Sequence, residues 1–173
     1  MLARAPQATK RLEPVVDVLG RDVLRYGGKN SLFNIFLNPA NVNVANPTEE
    51  TKEIWRLYEQ TGDKDVFPKA APSSFSYKGT SYKLTPQEKT QFQRTMGKQT
   101  GDELKRLMGS TEYVNPKTSE AFKKSKAEDK KSMTDESIRA DLVKKTIDAA
   151  YESAKEEILK GRGIEIEKKE AKK

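Results

Sequence analysis

The stretch from Ile54 to Met96 constrains the fold most, because a helix, a proline-stiffened connector, a hairpin and a second helix follow one another within it. IWRLYEQTGDKDVFPKAAPSSFSYKGTSYKLTPQEKTQFQRTM holds the only tryptophan and seven of the 13 aromatic side chains. Just upstream, Asn46-Pro47-Thr48-Glu49 reads as a helix start, with asparagine as cap, proline in the first turn and glutamate reaching back to the cap amide. Ile54, Leu57 and Tyr58 then share one helical face with Trp55 at its edge, and Gly62 is placed to end the helix in a left-handed conformation after about four turns. Asp63 to Ser74 contains Phe67-Pro68 and Ala71-Pro72 and reads as an extended connector. In FSYKGTSYKL the apolar positions Phe75, Tyr77, Tyr82 and Leu84 fall on one face only if the loop has an even number of residues. That parity favours Lys78-Gly79 or Lys78 to Ser81 over a three-residue loop.

Thr85-Pro86-Gln87-Glu88 repeats the capping logic and opens a helix presenting Phe92 and Met96. Gly97 weakens its end, and Thr100-Gly101-Asp102-Glu103 resembles a second cap. Two helices, or one kinked helix, both fit. From Thr134, with Asp135 and Glu136 in the first turn, the longest helix carries a stripe at Leu142, Val143, Ile147, Ala150, Tyr151, Ala154 and Ile158, and Gly161 is expected to end it.

The remaining segments are more polar. In residues 1–30, Val15, Val16, Val18, Leu19, Val23 and Leu24 have the spacing of a short amphipathic helix, opened near Pro14 and broken at Gly27-Gly28. Leu32, Phe33, Ile35, Phe36 and Leu37 form an apolar burst among asparagines that Asn38-Pro39 stops. Asn115 to Ser132 is rich in lysine and reads as an exposed linker or solvated helix. These features give a mainly α fold class with one small β-hairpin: an N-terminal arm (1–30), a helix–hairpin–helix core (31–112), a polar linker (113–133), a long helix (134–160) and a charged tail (161–173). The tryptophan helix, the hairpin and the helix after it are expected to pack on one another.

Composition limits the chemistry. With no cysteine and no histidine, thiol and imidazole catalysis and Cys/His zinc sites are absent. Hydrophobic and charged residues each make up 34% of the chain, and mean hydropathy is -0.86, so polar ends that order on a partner are expected. The net charge of +7 suits a polyanionic neighbour, but lysine outnumbers arginine, which leans against base-specific recognition. No apolar run is long enough to span a bilayer, and the N-terminus lacks the apolar region of a secretory signal. Tyr113-Val-Asn-Pro-Lys117 has a reductase-like spacing, but Pro116 breaks the helix that would align the pair. Gly161-Arg-Gly163 lacks the third glycine and the preceding strand of a dinucleotide loop.

The segments GRDVLRYGGKNSLFNIFLNPA and EETKEIWRLYEQTGDKDVFPKAAPSSFSYKGTSYKLTPQEKTQFQRTMGKQ resemble the C-terminal associated region of large polyvalent proteins of phages and mobile elements. The resemblance rests on the order RLYEQTGDKDVFP, P-S-S-F, short hairpin and LTPQE…FQ…MG. It covers roughly residues 20–110, resumes from Thr134, and departs from the pattern over Asn115–Ser132. It implies a non-enzymatic, virion-associated or ejected protein with no cofactor and no metal, located in the virion or, after delivery, in the host cytoplasm. Its expected partners are other virion proteins or copies of itself. Two other readings are a nonspecific nucleic-acid-binding module, acting through Lys123, Lys124, Lys126, Lys130 and Lys131, and a small effector that binds a host protein. For protein contacts the candidate residues are Leu32, Phe33, Phe36 and Trp55.

Overall fold

A tight turn at Lys78-Gly79 sets the register of the hairpin and, through it, which side chains enter the core. In a computed structural model, residues 48–166 are described throughout, together with the backbone of Val15–Val16 and Asp22–Val23. The two short N-terminal strands, β1 (Val15–Val16) and β2 (Asp22–Val23), pair antiparallel, with Val15 opposite Val23. This replaces the amphipathic helix expected there. The β-branched valines that suggested a helical stripe by spacing are better suited to a pleated strand. β1 lies against the helix that follows the hairpin.

Helix α1 (Glu49–Thr61) is capped by Thr48, whose hydroxyl accepts from the Thr51 amide, and not by Asn46 as expected. Thr48 serves as well because Glu49 and Glu50 then fill the first turn, where negative charge favours the helix N-terminus. Gly62, at φ 70°, closes the helix in the left-handed conformation. The connector is less extended than expected. Asp63 caps a 3-10 turn at Lys64–Val66, Val66 is fully buried, and the Ala71 amide donates to Gln93 Oε1 at 2.8 Å.

Strands β3 (Ser74–Tyr77) and β4 (Thr80–Lys83) pair antiparallel with Phe75 opposite Tyr82 and Tyr77 opposite Thr80. The loop therefore has two residues, the even number that the apolar parity favoured. Lys78 (φ 47°) and Gly79 (φ 78°) both sit at positive φ, as the primed hairpin turn requires. Phe75 and Leu84 are buried, while Tyr77 and Tyr82 on the same face are half-buried.

Helix α2 (Pro86–Met108) starts with the full capping box of Thr85 and Glu88. It then runs unbroken through Gly97 and Gly101, so Thr100 does not restart it. Thr100 is fully buried, and a continuous helix keeps Phe92, Met96 and Leu104 in one buried stripe. That burial outweighs roughly 1 kcal/mol of lost helix propensity per glycine.

The segment after α2 is short-stepped and only partly solvated: α3 (Thr111–Val114), a 3-10 turn at Pro116–Thr118, α4 (Glu120–Lys124) and α5 (Ala127–Ser132). Tyr113, Pro116 and Ser119 are buried, whereas α4 and α5 bury nothing completely.

Helix α6 (Asp135–Gly161) is the spine of the molecule. Thr134 caps it, its apolar stripe is buried and it ends at Gly161, as expected, with Gly163 at positive φ just beyond. Gln91 and Thr95 of α2 reach Glu157, and Phe92 meets Tyr151, so α2 runs antiparallel to α6. Ala150 and Ala154, buried on the contact side, let the two backbones approach closely. Helix α1 lies along the N-terminal half of α6, through Arg56–Glu136 and Asp63–Lys144. The hairpin sits at the other end, where Phe75 contacts Phe92 and Tyr151. The tryptophan helix and the hairpin are thus joined mainly through α6, and one hydrophobic cluster extends from Ile54 to Ile158. Among the described residues no helix is long and apolar enough to cross a membrane.

Candidate interaction surface

Trp55 is the one member of the expected apolar contact set that falls within the described residues; Leu32, Phe33 and Phe36 lie outside them. The Gly62 terminator and the 3-10 turn fold Phe67 back onto α1, where it meets two rings of that helix. Trp55 packs edge-on to Phe67 with ring centroids 4.8 Å apart, Tyr58 to Phe67 at 5.1 Å, and Trp55 to Tyr58 at 5.8 Å. All three side chains are half-buried. A cluster of this kind offers a rigid apolar face with little side-chain entropy left to lose on contact. Among the described residues Val114 is the one exposed large hydrophobic, at 59%.

The lysines proposed for nucleic acid are exposed or partly so, but several are engaged within their own segment. Lys123 and Lys124 pair with Glu120. Lys130 donates to the Lys123 carbonyl at 2.9 Å and stands over the Phe122 ring. Lys126 and Lys131 are exposed. Residues 48–166 carry 23 Lys/Arg and 21 Asp/Glu, so only +2 of the +7 belongs to the described fold. Lys117 pairs with Asp135 while the Tyr113 hydroxyl points to Glu53, so the reductase-like spacing does not bring these two side chains together.

Three ionic clusters fasten the helices. Tyr113 donates its hydroxyl to the Glu53 carboxylate, which also accepts from Arg56 Nε at 2.8 Å. Arg56 reaches Glu136 of α6. Arg139 pairs with Glu136 and donates to the Tyr113 and Val114 carbonyls. Burial would raise the Glu53 carboxyl, but the Arg56 and Tyr113 hydrogen bonds outweigh it and hold it below its usual value. Burial, then the hydrogen bond to Glu53 and its charge, push the Tyr113 phenol well above its usual value.

At the opposite end, Arg162 makes a forked contact to Glu88, 2.6 Å to each oxygen, and donates to the Lys83 carbonyl at 2.7 Å. This guanidinium, helped by the Thr85 amide, holds the Glu88 carboxyl down at about 2. In the third cluster, Asp63 is lowered by the Asp65 amide and by Lys144, which is raised in turn. Partners this distant in the chain, such as Glu88 and Arg162, carry no local sequence signal, so reading the chain missed all three clusters.

No protein-family model, curated protein or solved structure matches this chain. Among the described residues, no group of three or more acidic side chains could hold a metal ion.

Proposed function

We propose that this chain is a non-enzymatic interaction protein of a phage, a virion-associated structural or ejected component that assembles with copies of itself or with other virion proteins. The phage setting comes from the resemblance over residues 20–110. The non-catalytic part is supported by the electrostatics. General acid–base catalysis near neutral pH needs a carboxyl raised, or a lysine lowered, toward the working pH. The shifted carboxyls Glu53, Asp63 and Glu88 all move down and the shifted Lys144 moves up. Each of them is spent on holding two elements together.

The half-buried Trp55–Tyr58–Phe67 face is the contact surface that this reading favours. A mixture of the chain with dissociated virion components should show co-migration on size exclusion. Trp55→Ala should weaken the complex by more than tenfold, while a monomer inert to every virion component would refute the assignment. The nucleic-acid reading draws on the exposed Lys126 and Lys131. It requires binding to DNA that falls steeply with added salt, because counterion release dominates such contacts. Absence of binding at low salt would remove it.

A further inference from the structure

The hairpin has two outer edges, and the structure treats them differently. Leu84 donates its amide to the Ser73 carbonyl. With Phe75 opposite Tyr82 and Tyr77 opposite Thr80, the alternation of an antiparallel ladder then turns the backbone groups of Ser74 and Ser76 outward on β3, and those of Ser81 and Lys83 outward on β4. On β4 the outward Lys83 carbonyl is taken by Arg162, and the lysine is itself the kind of residue that discourages further pairing. On β3 the outward groups of Ser74 and Ser76 have no partner among the described residues. Both serines are exposed, and among the described elements only β4 packs extensively along this strand. From Ala70 to Tyr77 there is no charged residue. Among the described residues, the usual means of closing an edge, a charge, a bulge or a covering segment, are missing from Ser74–Ser76.

We infer that the open edge of β3 is where a second copy of this chain docks, strand against strand. The inference rests on the assembly reading above and names its geometry. In the antiparallel register that sets Phe75 opposite its own counterpart, Ser74 of each copy faces Ser76 of the other. All the outward donors and acceptors of the two strands then meet in pairs. The strand is self-complementary in this register: uncharged lies against uncharged, the two Lys78 side chains fall at opposite ends, and a twofold axis relates the copies. The two hairpins form a four-stranded sheet, β4-β3-β3-β4, whose ends are the Arg162-capped edges. There the Arg162 contact and the Lys83 side chain disfavour a further strand, so the dimer is favoured over longer growth. A four-residue edge buries far less than the ~1,000 Å² typical of a durable interface, so the dimer is weak in dilute solution and fills at the high local concentration of a particle.

Sedimentation velocity of the full chain from about 10 μM to about 1 mM, a range that brackets weak association, tests this. The wild type should shift from monomer to dimer. Ser76→Pro, which removes one outward donor, should abolish the shift, and so should the double change Ser74→Lys/Ser76→Lys, which keeps the backbone donors if the proline variant fails to fold. Ser81→Pro, on the capped edge, should leave dimerisation intact. A wild type that stays monomeric throughout, or a dimer that survives both β3 variants, overturns the inference. The virion co-migration experiment is read separately, so a monomer that still binds a virion protein leaves the proposed function standing.

Discussion

Replacing Phe92 by alanine tests whether the hairpin, α2 and α6 share one core. Phe92 is fully buried, with Phe75 of the hairpin at 5.4 Å and Tyr151 of α6 at 5.1 Å. Truncating a buried phenylalanine costs about 3–5 kcal/mol in transfer and cavity terms. Here three elements meet at the ring and none can collapse into the space without leaving the other two, so about 4 kcal/mol is expected. Against the 5–15 kcal/mol typical of whole domains, the variant stays folded with much of its reserve gone. The melting temperature should fall by roughly 15 °C. Phe92→Leu, which keeps most of the volume, should cost only about 1–1.5 kcal/mol. Urea unfolding followed both by Trp55 fluorescence and by far-UV circular dichroism is the assay. The single tryptophan sits midway along α1, in the other aromatic cluster, so it reports on a part of the core away from the substituted ring. Both signals should move to the same lower midpoint. A loss below about 1 kcal/mol, or a fluorescence transition that stays at the wild-type midpoint while the dichroism shifts, would refute a common core.

Tyr113→Phe removes a hydroxyl donated to a carboxylate and should cost about 1–3 kcal/mol in chemical denaturation; no measurable loss would mean the Glu53 contact contributes nothing. The same phenol is raised by burial and by Glu53, so its stabilising effect is complete below the ordinary tyrosine value and is lost as pH climbs toward the folded value. Burial also raises Tyr151, so ultraviolet titration should show at least two of the six tyrosines ionising late, with Tyr113→Phe removing one of them. Glu88 is lowered from 4.5 to about 2 by Arg162. Its contribution is therefore present above pH 4.5 and lost as pH falls toward 2, and a Glu88→Gln variant should show a shallower decline of melting temperature across that window. Equal slopes would remove the Arg162 contact as its cause. Thr100→Val replaces a buried hydroxyl that has no hydrogen-bond partner. It should be neutral or stabilising by up to about 1 kcal/mol, and a loss of stability would show that the hydroxyl is satisfied.

Most of the elements of the described fold could be read from windows of four to eight residues. The Thr85–Glu88 capping box, the Thr134 cap, the Gly62 terminator and the two-residue turn are each decided by groups that are neighbours in the chain. Where two local signals competed, the sequence was ambiguous. Asn46 and Thr48 are both good caps, and the valines of 15–23 suit a helical stripe by spacing and a strand by shape. Thr100-Gly101 looks like a helix start until Met96 and Leu104 have to be buried on the same side.

The candidate surfaces were less legible than the elements. Trp55 stood out as the only tryptophan, but its pairing with Phe67 depends on how the connector folds back. The unpaired backbone groups of Ser74 and Ser76 are visible only once the hairpin register is known. What the sequence determined alone was the starts of the three long helices and the parity of the hairpin, because caps, turns and periodicity act within one or two turns of chain. The tertiary structure decided which helix became the spine, which carboxylates hold it, and which backbone edge remained unpaired. Those outcomes depend on Glu53 meeting Tyr113 and Glu88 meeting Arg162, encounters across 60 and 74 positions that form only when the apolar stripes are buried together.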